Sequence, residues 1–148
     1  MQRPTSSRPA DLLTPPATAR TFTSPRGELS IWQPAPGVVV QKASGHANLA
    51  AAQFMVARLN AFVSQGRVTI YDDWQLLTSY DGDARDLITA WSRDNRARIE
   101  KIHILVGSRL VAMAITVANL VTDGVSKTYT NRTEFALELA RAVERPAP

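Results

Sequence analysis

The chain has 148 residues, no cysteine, 45% hydrophobic residues and a formal net charge of +4. That length suits one domain with its own core, and the absence of thiols excludes a disulfide framework, a thiolate nucleophile and a thiolate metal site, as fits a reducing cytoplasm. A pI near 10.0 suggests nucleic acid only until the charges are located. Residues 1–26 hold Arg3, Arg8, Arg20 and Arg26 against Asp11, a net of +3, and the remainder holds 13 basic and 12 acidic residues, a net of +1. Scattered arginines beside a nearly neutral body do not make the basic face that nucleic acid requires.

Five prolines (Pro4, Pro9, Pro15, Pro16 and Pro25) punctuate residues 1–26 among Ser, Thr, Ala and Arg. Such a composition buries too little apolar area to offset chain entropy, so a disordered leader is expected there and a short tail at 146–148. Leu12 and Leu13 are bracketed by Asp11 and the Pro15-Pro16 pair, which leaves no signal-peptide core and points to a cytoplasmic protein. The expected domain runs from 27 to 145.

Glu28 to Gln33 alternates with Leu29 and Ile31 on one face, Pro34 to Gly37 makes a turn, and Val38 to Lys42 follows as a second strand, antiparallel to the first. Residues 47–63 then place Ala50, Phe54, Ala57 and Ala61 at helical spacing before Gly66. Arg67 to Tyr71 reads as the third strand, with Asp72, Asp73 and Trp74 in a loop at its carboxyl end. Residues 84–98 read as the second helix, carrying Ala84, Leu87, Ile88 and Trp91 on its buried face. Asp83 is placed to cap that helix, with Asp86 as the acidic partner of a capping box.

Lys101 to Val106 is nearly continuous apolar sequence, the mark of a strand covered on both faces. Ser108 can cap a third helix through Leu110, Met113 and Leu120. The apolar run Leu110 to Val121, about 12 residues against the roughly 20 of a membrane span, reads as a buried helix. Lys127 to Thr130 is a short fifth strand, and Asn131 with Glu134 opens a last helix that buries Phe135, Leu139 and Val143. The whole is an α/β sandwich in the order ββαβαβαβα: a five-stranded mixed sheet with an antiparallel first strand, and four helices.

That order resembles the STAS and SpoIIAA-like domains, of the bacterial anti-anti-sigma factor type, over roughly residues 28–144. The strand from Val38 runs through Gly45 into an alanine-rich helix, as the family's does. Asp81 lies eight residues after Asp73, the spacing at which the family places the acid of Asp-Ser-Ser-Gly or Asp-Ser-Thr-Gly. Ile102 to Leu120 supplies the strand and helix expected next. Aligned without gaps, the family motif falls on Asp81-Gly82-Asp83-Ala84, so the serine phosphorylated in sporulation regulators is Asp83 here, a fixed charge in place of a switch. Ser79, just upstream, is the remaining phosphate-acceptor candidate. The resemblance implies a non-enzymatic regulatory or scaffolding module, cytoplasmic and without a cofactor. Its partner would be another protein of the regulator, kinase or anti-sigma type, and self-association is open.

The contacts expected for that partner are Tyr80, Asp81 and Asp83 at the start of the second helix, with Asp73 and Trp74 beside them. Both junction acids are also ordinary turn and cap residues, and the two roles are compatible. Asp72 and Asp73 lack a third ligand for a metal or a nucleophile for acid–base chemistry, so solvated loop acids are expected. Tyr71, Trp74 and Tyr80 read either as an exposed aromatic contact surface or as lids on the core. His103 reads as a neutral core histidine and His46 as a loop residue, and a zinc site is not expected from two histidines so far apart. The alternative to a protein-binding module is a pocket for a lipid or other small apolar ligand, lined by the Leu110 to Val121 helix.

Overall fold

A computed structural model describes residues 8–107 and 125–145. Six strands form one sheet in the order β1-β2-β3-β4-β5-β6: β1 (Arg20–Ser24), β2 (Gly27–Ala35), β3 (Val38–Ala47), β4 (Val68–Tyr80), β5 (Ile99–Val106) and β6 (Ser126–Tyr129). The β1–β2 and β2–β3 pairs are antiparallel, and β3 to β6 run parallel. Among the described residues there are three α-helices, α1 (Leu49–Val63), α2 (Gly82–Asp94) and α3 (Arg132–Glu144). The expected helix from Leu110 to Val121 lies outside the described residues.

The sheet has one strand more than expected because residues 9–24 are not a disordered leader. Pro9–Leu13 is a 3₁₀ helix that buries Leu13 completely. Arg20–Ser24 pairs along its whole length with Gly27–Ile31. Averaged composition hid two local signals. The Leu12–Leu13 pair has α3 to pack against, and Ser24-Pro25-Arg26-Gly27 is a tight turn in which the Gly27 N–H donates to Ser24 Oγ at 3.1 Å. A side chain at Gly27 would run into the His46 carbonyl, and Gly45, at φ +71°, lies against Arg26. Backbones approach too closely there for a Cβ.

Each sheet face has its own core. Leu29, Ile31, Val39, Ile70 and Ile102 face α1 and α2, which are also joined by the Trp91 Nε1–H donating to Asn60 Oδ1 at 2.7 Å. Trp32, Val40, Tyr71, Leu105 and Tyr129 face α3 and the 3₁₀ helix, with Phe135 and Leu139 fully buried between them. The α3 start is as expected, with Asn131 Oδ1 accepting from the Glu134 N–H at 3.0 Å. The α2 start is not. Its N-cap is Asp81, Asp83 lies inside the first turn without making the capping bond, and Asp86 bonds Arg85 instead of closing a box. The helix ends at Asp94, and Arg96–Arg98 form a separate 3₁₀ turn.

Candidate functional site

The third strand is far longer than its apolar stretch. β4 continues through Asp72, Asp73 and Trp74 to Tyr80, so the expected solvated loop acids are buried strand residues, 4% and 2% exposed. Alternation sends them to opposite faces. Asp73 points toward α3, where Arg132 Nη1 reaches both its oxygens, at 3.2 and 3.0 Å, and also donates to Gln75 Oε1 at 3.0 Å. That pairing removes Asp73 from any docking surface. Asp72 points toward α1 and α2, and its Oδ1 accepts from Gln41 Nε2 at 2.6 Å on the adjacent strand. Burial, opposed in part by that hydrogen bond, pushes the Asp72 carboxyl up to about 7.

The aromatic residues around these acids are lids and core. Tyr71 is buried and stacked on His103 with ring centroids 4.4 Å apart. Trp74 and Tyr80 are half-buried against the α1/α2 core. His103 is the core histidine expected: its Nδ1 bonds the Tyr129 hydroxyl at 2.7 Å, and burial, followed by the charge of Lys101, lowers its pKa to about 4. Neutrality near pH 7 follows.

At the carboxyl ends of β3 and β4 the chain builds a hydrogen-bonded row that the sequence did not reveal. His46 is the penultimate residue of β3, in register with Ser79 of β4, not a loop residue. Its Nδ1 lies 2.7 Å from Ser79 Oγ and its Nε2 lies 2.8 Å from Asp81 Oδ1. A carboxylate only accepts, so Nε2 carries the hydrogen, and in the neutral ring Nδ1 accepts from the Ser79 hydroxyl. The three groups follow the order of a hydrolytic triad with the ring reversed, since a triad puts Nε2 on the hydroxyl and Nδ1 on the carboxylate. Here the carboxylate is 48% exposed against 11% for the imidazole, and the His46 hydrogen bond holds the Asp81 side chain in place. The Asp81 side chain therefore makes no capping bond to α2, while its backbone N–H donates to the Ala47 carbonyl at 2.9 Å. Asp83, two residues further on in the first turn, is exposed.

Beneath this junction, between the sheet and α1 and α2, lies a cavity of about 120 Å³. Tyr80 and Ala84 belong to its wall, as do Asp72 and Trp74. Among the described residues no group of three or more His, Cys, Asp or Glu side chains is placed to hold a metal ion, and no helix is long and apolar enough to cross a membrane.

No family model matches the sequence, and no curated protein does. Solved structures do match in shape. An uncharacterized protein of the DUF3478 family with a SpoIIAA-like fold, from Shewanella loihica PV-4, is 17% identical over 79% of this chain and 97% of its own, with a TM-score of 0.59. The anti-sigma factor antagonist SpoIIAA in its unphosphorylated form is 17% identical over 76% of this chain and 97% of its own, also at 0.59. The phosphorylated form of the Bacillus cell fate determinant SpoIIAA is 19% identical over 76% and 99%, at 0.57. The chain has a SpoIIAA-like fold. At these identities the likeness establishes the fold alone, and function rests on the side chains.

Proposed function

We propose that this SpoIIAA-like domain is a non-enzymatic regulatory or scaffolding module of the bacterial cytoplasm that docks another protein at the start of α2, through Tyr80, Asp81 and Asp83. The observation that carries this reading is the disposition of Asp81: its carboxylate is held by His46 and left half exposed beside Asp83 instead of being used as a cap. Fixing a carboxylate through a hydrogen bond to a neighbouring ring lowers the ordering cost when a cationic or hydrogen-bond-donating partner arrives. The fold neighbours include an anti-sigma factor antagonist, so a regulator, kinase or anti-sigma factor is the class of partner that fits. Asp83, standing where the resembling family has its phosphorylated serine, keeps the junction charged without modification.

Retrieval of a stoichiometric partner from lysate tests the reading, comparing wild type with Asp81→Ala, Asp83→Ala and the double variant. The double variant should lose the partner while keeping wild-type circular dichroism and melting behaviour to within a few degrees. Undiminished retrieval by the folded double variant would remove the junction as the docking surface.

A further inference from the structure

The cavity under α1 and α2 has a chemistry of its own, independent of the docking reading. Most of its wall is apolar, with Leu29, Ala43, Met55, Leu77, Ile102 and Ile104 contributing. One ionisable group, Asp72, is buried in that wall. Gln41 occupies Oδ1 of Asp72, and the second oxygen makes no hydrogen bond among the described residues. Unused polar capacity lies close by: among the described residues, the Trp74 indole N–H in the same wall and Gln41 Oε1 beside Asp72 are buried without a partner. Buried polar groups left open are uncommon in native proteins and call for an explanation. Of the lining residues, Glu28 on β2 and Arg85 on α2 are exposed.

Size and polarity together define the occupant. A cavity of about 120 Å³ is close to the roughly 150 Å³ apolar void known to take up benzene, so the ligand has a single ring. We propose that this cavity binds a small uncharged ring compound bearing one hydroxyl, a phenol, whose O–H donates to the free oxygen of Asp72. An ammonium group fits poorly, since it brings three donors to one open carboxyl oxygen and would leave the others unsatisfied in an apolar wall. A ligand carboxylate meets a buried acid of its own kind. A hydrocarbon ring fills the space but leaves Asp72 as it was. The raised pKa of Asp72 accords with this assignment, because a group so poorly solvated gains from any added hydrogen bond.

Calorimetric titration of the full chain with phenol, toluene and benzylamine tests the site, together with proton NMR transfer from bound phenol to the methyl groups of Leu77 and Ile104. Phenol should bind five- to tenfold more tightly than toluene, about the value of one hydrogen bond, and benzylamine more weakly than either. Ala43→Leu should abolish phenol binding by filling the space, and Asp72→Leu should bring phenol and toluene to within twofold of each other. If a variant fails to fold, the three-ligand ranking and the methyl contacts in wild type decide. Equal affinity for phenol and toluene, preference for benzylamine, binding remote from Leu77 and Ile104, or no binding of phenol at all would each overturn the assignment.

Discussion

On the side of the sheet covered by α3, His103 bonds Tyr129, Tyr71 donates to the Glu138 carbonyl, and Asp73 is paired with Arg132. On the side covered by α1 and α2, Asp72 has one partner among the described residues, Gln41, and among those residues Gln41 Oε1 and Trp74 Nε1 have none. Both sides bury ionisable groups from the same stretch of β4, so the difference lies in what each side supplies. A helix N-terminal arginine and two hydroxyl-bearing rings complete the first, and the second is left with a cavity and spare hydrogen-bonding capacity. A fully partnered buried polar cluster specifies packing, whereas an incomplete one is either a cost or a place for something else.

The contrast can be tested most severely at the pair formed by buried Asp73 and partly exposed Arg132. Arg132→Met leaves Asp73, 2% exposed, without its counter-charge, and chemical denaturation should show a loss of roughly 3–5 kcal/mol. A loss under about 1 kcal/mol would mean that Asp73 finds water or another donor. Next comes the N-terminal segment on the same side. Leu13→Ala removes a completely buried side chain from beneath α3 and should cost about 2–4 kcal/mol, against almost nothing for Leu76→Ala, since Leu76 is 58% exposed.

Acidity separates the two sides further. The Asp72 pKa is raised in the folded state from 3.8 to about 7. Its contribution to stability is therefore fully present below pH 4, falls as pH rises through the window between those values, and is gone above it. Asp72→Asn should flatten that slope, so its stability relative to wild type should improve by roughly 2–3 kcal/mol between pH 5 and pH 8. His103 has the opposite sign. Its pKa is lowered from 6.5 to about 4, so its contribution is present above pH 6.5 and is lost as the pH falls toward 4, and His103→Gln should flatten the acid limb of the melting-temperature profile. The smallest effect belongs to the exposed junction. Asp83→Ala should lower stability by less than about 1 kcal/mol, the usual value of an acid in the first turn of a helix, because Asp83 makes no capping bond.

The sequence by itself determined the elements whose apolar residues recur with a regular period. The strands around Leu29, Val38 and Ile102, the helices ending at Val63 and Glu144, and the neutral core role of His103 are where their local patterns place them. The α/β order that suggested a SpoIIAA-like fold was legible for the same reason, since hydrophobic periodicity is a local property. Tertiary structure decided what local pattern could not. Asp72 and Asp73 interrupt the apolar run and so read as loop, yet they sit inside β4 because Gln41 lies 31 residues before one and Arg132 lies 59 residues after the other. The proline-rich start likewise becomes a strand and a buried leucine only because β2 and α3 provide an edge and a groove. His46, Ser79 and Asp81 come into line only when parallel pairing sets β3 and β4 in register. Burial and charge compensation are properties of the assembled sheet, and residues far apart in the chain supply them.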